Sequence, residues 1–219
     1  MLSLMVRPLL LMALVGFATL ARANGILILG DSISAAYGIE KSQGWVHLFE
    51  QSLDASCSNL EVINASVSGE TTAGGKSRLP GLLEQHQPEI VVIELGGNDG
   101  LRGLSPIAMR QNIAQMVSLS RESGATPVLL GMRIPPNYGE QYARLFEQQF
   151  AQLARELDVP LFPFFLEGVF EQDGIQKDGI HPTADVQPLL LDNALTVIGP
   201  LLPVGCASVS ANTADQRAG

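Results

Sequence analysis

Apolar and polar positions along the chain alternate between short, dense apolar runs and longer stretches of mixed character. Runs of β-branched and leucine residues occupy 26–29, 62–65, 90–95, 128–130 and, more weakly, 159–162. Between them, apolar residues recur at helical spacing over about 45–54, 75–85, 106–123 and 142–157. A last amphipathic stretch covers about 184–202 and stops at Pro203. Apolar runs of this length alternating with helices predict right-handed βαβ units and a parallel sheet covered on both faces. The expectation is therefore an α/β domain of three layers, α/β/α, around a five-stranded parallel sheet.

In open α/β sheets, ligands bind outside the carboxyl ends of the strands. The residues that follow each apolar run are therefore the candidates for chemistry. The first run, within GILILGDSIS at 25–34, delivers Asp31 and Ser32; both residue types also serve as plain helix caps. The second is followed by SVSGETTAGG at 66–75, where Gly69 can take a positive φ and turn its N–H toward a ligand. That loop has neither the lysine and spacing of a P-loop nor the G-x-G-x-x-G of a dinucleotide site. The third run ends in ELGGND, placing Asn98 and Asp99 at the same edge. Asn98 is either a turn residue or a donor whose carboxamide faces the cleft. Glu94 lies inside that strand and, if buried, needs a partner. After the fourth run, MRIPPNYG at 132–139 reads as a proline-rich loop and a candidate cleft wall. The loops at 70–76 and 133–139 are expected to select the substrate.

The three histidines separate by context. His47 sits on a helix among apolar neighbours, and His86 closes the helix ending LLEQH, where a cation suits the negative dipole end. His181 lies in the turn-rich DGIHPT, three residues after Asp178. A carboxylate at that spacing can hold the Nδ1–H and leave Nε2 free to take a proton. Nucleophilic catalysis by serine needs a base, an orienter for the base, and donors facing the developing oxyanion. Ser32, His181 and Asp178, with the N–H groups of Ser32 and Gly69 and the Asn98 side chain, would supply all of these from separate loops.

Composition narrows the partners. The chain of 219 residues has 13 basic and 22 acidic side chains. Residues 1–23 show a positive amino end with Arg7, an apolar run over 8–20 and Ala-Arg-Ala at 21–23, the parts of a secretory signal cleaved after Ala23. The other reading, an uncleaved anchor, meets an apolar run shorter than the roughly 20 residues a span needs. Cleavage removes Arg7 and Arg22 and no acid, leaving 11 bases against 22 acids and a formal charge of −11. That balance attracts neither nucleic acid nor anionic lipid and favours a small-molecule partner. The modest aromatic content gives no interface patch, and a monomer is expected. In an oxidising compartment Cys57 and Cys206 could pair or remain thiols. Beyond Pro203 the chain is small, polar and aperiodic, and 204–219 is expected to be a disordered or loosely docked tail.

The order Gly30-Asp31-Ser32, Gly69, Gly96-Gly97-Asn98-Asp99, then Asp178 to His181 resembles the GDSL or SGNH hydrolases. Through GDSISAAYGI, ELGGNDGLRG, PPNYG, DVPLFPFFLEGVF and DGIHPTADVQP it is similar to the periplasmic group of acyl thioesterases, lysophospholipases and arylesterases. The resemblance spans the mature chain to about Pro203. It implies a flavodoxin-like sheet and a periplasmic or secreted esterase acting on carboxylic esters and acyl thioesters. It also implies Ser32 as nucleophile, His181 as base, Asp178 as orienter, Ser32, Gly69 and Asn98 as oxyanion donors, and no metal or organic cofactor. Ile33 and Ala36 depart from the group's usual Leu and Gly. Two other readings stay open: a metal-dependent phosphoesterase built on the Gly-Asp and Gly-Asn-Asp segments, and a periplasmic binding module without turnover. The intact mass of the exported protein should correspond to a chain beginning at Asn24; a start far from it would refute the signal.

Overall fold

A computed structural model describes residues 25–57, 60–204 and 206. The expected signal at 1–23 lies outside the described residues, as does the expected tail apart from Val204 and Cys206. Five strands, β1 (Gly25–Gly30), β2 (Glu61–Asn64), β3 (Ile90–Glu94), β4 (Thr126–Leu130) and β5 (Leu161–Phe162), form one sheet in the order β2-β1-β3-β4-β5. Every neighbouring pair is parallel. The helices are α1 (Trp45–Ser56), α2 (Thr72–His86), α3 (Gly97–Leu101), α4 (Pro106–Glu122), α5 (Glu140–Leu157) and α6 (Gln187–Ile198).

α1 packs beside α6, and α4 packs between α2 and α5, which gives the three expected layers. β1 and β3 are buried along their whole length, because helices cover both of their faces. β2 and β5 are the edges and are only partly covered. Each helix meets the sheet through side chains at helical spacing: Trp45, Phe49 and Leu53 from α1, and Phe146, Phe150 and Leu153 from α5, all buried. The chain leaves β1 toward β2, then returns past β1 to begin β3. Winding therefore reverses between the carboxyl ends of β1 and β3, the position where such sheets form a crevice.

Three differences from the sequence pattern have local causes. α3 was not expected, since GGND reads as a turn; it opens at Gly96, whose φ of 119° suits glycine. A Cβ at Gly96 would lie 3.0 Å from both Met109 and Phe150. β5 is two residues long because Pro160 has no N–H for the ladder, although its carbonyl accepts from Leu129 N–H at 2.9 Å. The last helix is shortened by 3₁₀ turns at Ala184–Val186 and Gly199–Leu201.

Cys57 and Cys206 form a disulfide with Cα atoms 5.5 Å apart, closing a sequence separation of 149. It ties the carboxyl end of α1 to the segment beyond α6, and Cys206 is buried. In the chain-entropy account a loop this long is worth about 5 kcal/mol. Changing both cysteines to alanine should lower the urea midpoint accordingly and abolish its sensitivity to reductant; an unchanged midpoint would show the link to be thermodynamically silent.

Candidate active site

Ser32 follows β1 in a tight turn, with Ala35 N–H donating to the Asp31 carbonyl and Tyr37 N–H to the Ser32 carbonyl, each at 3.0 Å. Its side chain reaches the crevice at the winding reversal. Ser32 Oγ lies 2.8 Å from His181 Nε2, and His181 Nδ1 lies 2.6 Å from Asp178 Oδ2. The other oxygen of Asp178 accepts from the N–H groups of Ile180 and His181 at 2.9 and 3.0 Å. These bonds, first that from the imidazole, lower the Asp178 pKa to about 2. An ionised carboxylate only accepts, so the proton sits on Nδ1 and Nε2 accepts from the Ser32 hydroxyl.

The hairpin-like segment carrying His181 is held on both sides. Gln176 N–H donates to the His181 carbonyl at 2.7 Å, and Gln176 Nε2 donates to the carbonyls of Tyr37 and Pro182. The Tyr37 ring lies against the imidazole with centroids 4.4 Å apart. It is presented there by a turn in which Ala36 has φ 58°, a conformation in which a Cβ costs about 1 kcal/mol relative to glycine. Tyr37 lies within GDSISAAYGI and Gln176 in none of the segments that carry the resemblance; their contacts with His181 and its turn show only in the folded chain.

Asn98 comes from the first turn of α3, not from a loop, and its Nδ2 donates to Asp31 Oδ2 at 2.9 Å. Gly69 has φ 79°, as expected of a glycine-dependent loop. Its carbonyl accepts from Arg102 Nη2 at 2.8 Å, and Asp99 accepts from both the N–H and the hydroxyl of Thr72. The segment after β2 is thereby tied to α3 and its neighbours. Among the described residues, the N–H groups of Ser32 and Gly69 meet no acceptor. Ser32, Asn98 and His181 line one cavity of about 160 Å³, closed by Ile33, Leu101, Met132, Ile134, Leu166 and Phe170. Gly69 does not line it. Nor does the 70–76 loop expected to select substrate: Thr72 is buried against Asp99 and Lys76 is turned to Asn112. The 133–139 loop contributes through Arg133, Ile134 and Pro135.

The partner that Glu94 needs is Ser34, whose hydroxyl donates to Glu94 Oε2 at 2.7 Å. The Asp31 N–H donates to the same oxygen at 3.3 Å, and Trp45 Nε1 donates to Ser34 Oγ at 3.2 Å. Burial raises the Asp31 pKa to about 6, against the hydrogen bonds from Ile33 N–H and Asn98. Burial, then the nearby Asp31 charge, pushes Glu94 well above the usual carboxylate range. Among the described residues, no three His, Cys, Asp or Glu side chains converge as metal ligands.

With this arrangement in view, likeness to known proteins is informative. The GDSL-like Lipase/Acylhydrolase family matches residues 28–187, and the chain belongs to that family. It is an ester-bond hydrolase. It is 48% identical over 192 residues to Esterase TesA of Pseudomonas aeruginosa, covering 87% of this chain and 96% of that one. It is 43% identical over 196 residues to Thioesterase 1/protease 1/lysophospholipase L1 of Escherichia coli K12, covering 89% and 92%. Among solved structures, the psychrotrophic esterase EstA from Pseudoalteromonas sp., inhibited by monoethylphosphonate, superposes with a TM-score of 0.77 at 42% identity, covering 81% of this chain and 98% of that one. The Gly-Asp-Ser and Gly-x-Asn-Asp reading of the sequence is thus borne out at the level of family and fold.

The two buried carboxyls have a consequence for stability. Each keeps its proton to higher pH when folded than when unfolded, so the folded state binds more protons from about pH 4 upward and stability falls as pH rises through about 6 and beyond. Asp178 works in the opposite sense, but only below about pH 4. Urea midpoints should therefore be higher near pH 5 than near pH 7.5, with Glu94→Gln narrowing the difference; a profile unaltered by that substitution would contradict the assignment.

Proposed function

We propose that Ser32, His181 and Asp178 form the catalytic triad of an esterase and thioesterase that works through an acyl-enzyme. The carrying observation is the unbroken line of hydrogen bonds Ser32 Oγ, His181 Nε2, His181 Nδ1, Asp178 Oδ2, at 2.8 and 2.6 Å, opening on an apolar cavity. Ser32 Oγ attacks the carbonyl carbon of an ester or thioester while Nε2 takes the hydroxyl proton. Asp178 balances the imidazolium that results. The tetrahedral oxyanion is met by the N–H groups of Ser32 and Gly69 and by Asn98 Nδ2. His181 returns its proton to the departing alcohol or thiol, and water repeats the sequence to release the acid.

The substrate class follows from the wall of the cavity. Ile33, Leu101, Met132, Ile134, Leu166 and Phe170 offer no hydrogen-bonding side chain, which suits an acyl tail. Arg133 at its edge is held by Glu147 at 2.7 Å and lies over the Phe164 ring. The relatives named as esterase, thioesterase and lysophospholipase support acyl esters, acyl thioesters and lysophospholipids as the range of this chain. No helix among the described residues is long and apolar enough to cross a membrane. We place the mature enzyme, one domain from Asn24 to about Pro203, in the periplasm or outside the cell, acting as a monomer.

Ser32→Ala should abolish hydrolysis of nitrophenyl esters and acyl thioesters and prevent labelling by a fluorophosphonate. Asn98→Ala should fold normally and lose about a hundred- to a thousandfold in kcat. Activity retained in Ser32→Ala would end the acyl-enzyme reading, and full activity in Asn98→Ala would remove that side chain from the oxyanion hole.

A further inference from the structure

Acylation would remove the hydrogen bond by which Ser32 and His181 find each other. Once Ser32 Oγ carries an acyl group it has no proton to give, so the 2.8 Å bond to Nε2 cannot persist. The imidazole must nevertheless stay within reach, because it has still to take a proton from the water that releases the acid. Asp178 holds the ring but belongs to the same turn, which is exposed at Asp178, Gly179 and Ile180. Something outside that turn has to keep it beside Ser32.

We propose that Gln176 is a positioning residue that ties His181 to the turn carrying Ser32 by a route independent of their shared proton, and so keeps the imidazole in place through the acyl-enzyme. The inference rests on the acyl-enzyme reading given above. The backbone N–H of Gln176 donates to the His181 carbonyl at 2.7 Å, and its Nε2 donates to the Tyr37 carbonyl at 2.9 Å. Tyr37 N–H in turn donates to the Ser32 carbonyl at 3.0 Å. The path from His181 through Gln176 and Tyr37 to Ser32 thus runs wholly through groups that the reaction leaves unchanged. Among the described residues, the bond from Gln176 to Tyr37 is the only hydrogen bond besides that of Ser32 with His181 that joins 174–183 to 31–38.

A primary amide suits these contacts and an acid does not. The second Nε2 hydrogen goes to the Pro182 carbonyl at 2.8 Å, so the two hydrogens face backbone carbonyls, one in each segment. Turning the amide over would set its oxygen against both. Gly38, at φ 78°, is bare where the amide crosses, and a Cβ there would overlap Gln176 Oε1. Behind Gln176 the chain is closed: Ile175 pairs with Pro182 as an antiparallel bridge, and Thr183 N–H donates to the Gly174 carbonyl at 2.8 Å. Gln176 therefore reaches across from a braced hairpin. The Tyr37 ring, with its centroid 4.4 Å from that of the imidazole, adds contact area but no directional bond.

Gln176→Met keeps the length of the side chain and removes both donors. On a nitrophenyl ester the first turnover reports acylation as a burst of nitrophenol, and the steady rate that follows reports release of the acid. Burst amplitude counts working sites, so molecules that fail to fold do not enter either rate. Gln176→Met should keep the burst rate within about threefold and lower the steady rate per site roughly ten- to hundredfold, the cost of a base displaced by about an ångström. Gln176→Glu, which sets carboxylate oxygens against two carbonyls, should lose at least as much. Equal slowing of both phases, or an unchanged steady rate per site, would overturn the proposal. Should neither variant fold, exchange of the Gln176 side-chain amide protons in the wild-type chain decides, measured with Ser32 free and with Ser32 phosphonylated by a fluorophosphonate. Slow exchange of both protons in both states is the expected result; fast exchange in either state would refute the tie. Failure of the acyl-enzyme reading shows differently, as hydrolysis retained in Ser32→Ala.

Discussion

The pairing of β1 with β3 is the constraint on which the site depends. In its register Gly30 stands opposite Glu94, so the chain leaves both strands side by side, one toward Asp31 and Ser32, the other toward Gly96 and Asn98. Gly30 has to be bare. A Cβ there would fall 2.7 Å from Ser34 Cβ and 2.8 Å from Glu94 Oε2, in the space that the buried polar group occupies. A slip of one residue would turn Glu94 to the other face of the sheet and remove the support under the turn that carries Ser32.

That support runs against the usual economy of a protein core. Two carboxyl groups lie under the turn, both nearly inaccessible, and one oxygen of Glu94 has no partner among the described residues. Burial of this kind destabilises the fold unless at least one group stays neutral. An apolar substitute would pack as well but would leave the Asp31 N–H and the Ser34 hydroxyl without an acceptor. The arrangement gives up stability for a turn whose N–H groups and side chains are held in place before substrate arrives.

Much of this was legible in the chain itself, for physical reasons. Strand ends announce themselves as apolar runs stopped by glycine, and Ser32, Asn98 and His181 each stand just past such a stop or in a turn-rich segment. Asp178 was readable because a three-residue spacing lets a carboxylate fold back onto its own imidazole. α3 was not, because two glycines and an Asn-Asp pair satisfy a turn as well as a helix, and only Met109 and Phe150 packed against Gly96 decide between them. The partners of Glu94, the clamp by Gln176 and the ring of Tyr37 on His181 also escaped, since each joins positions remote in sequence with no shared motif. Residues 70–76 stay off the cavity wall, with Thr72 drawn inward by Asp99.

The bond between Cys57 and Cys206 carries a consequence for where this chain can reach its full strength. It strings together the far ends of two helices that share one face of the sheet, and it exists only while both sulfurs are oxidised. Among the reduced thiols of a cytosol the same polypeptide would have to hold that face by packing alone. The staple thus ties the strength of that face to the redox state of its surroundings.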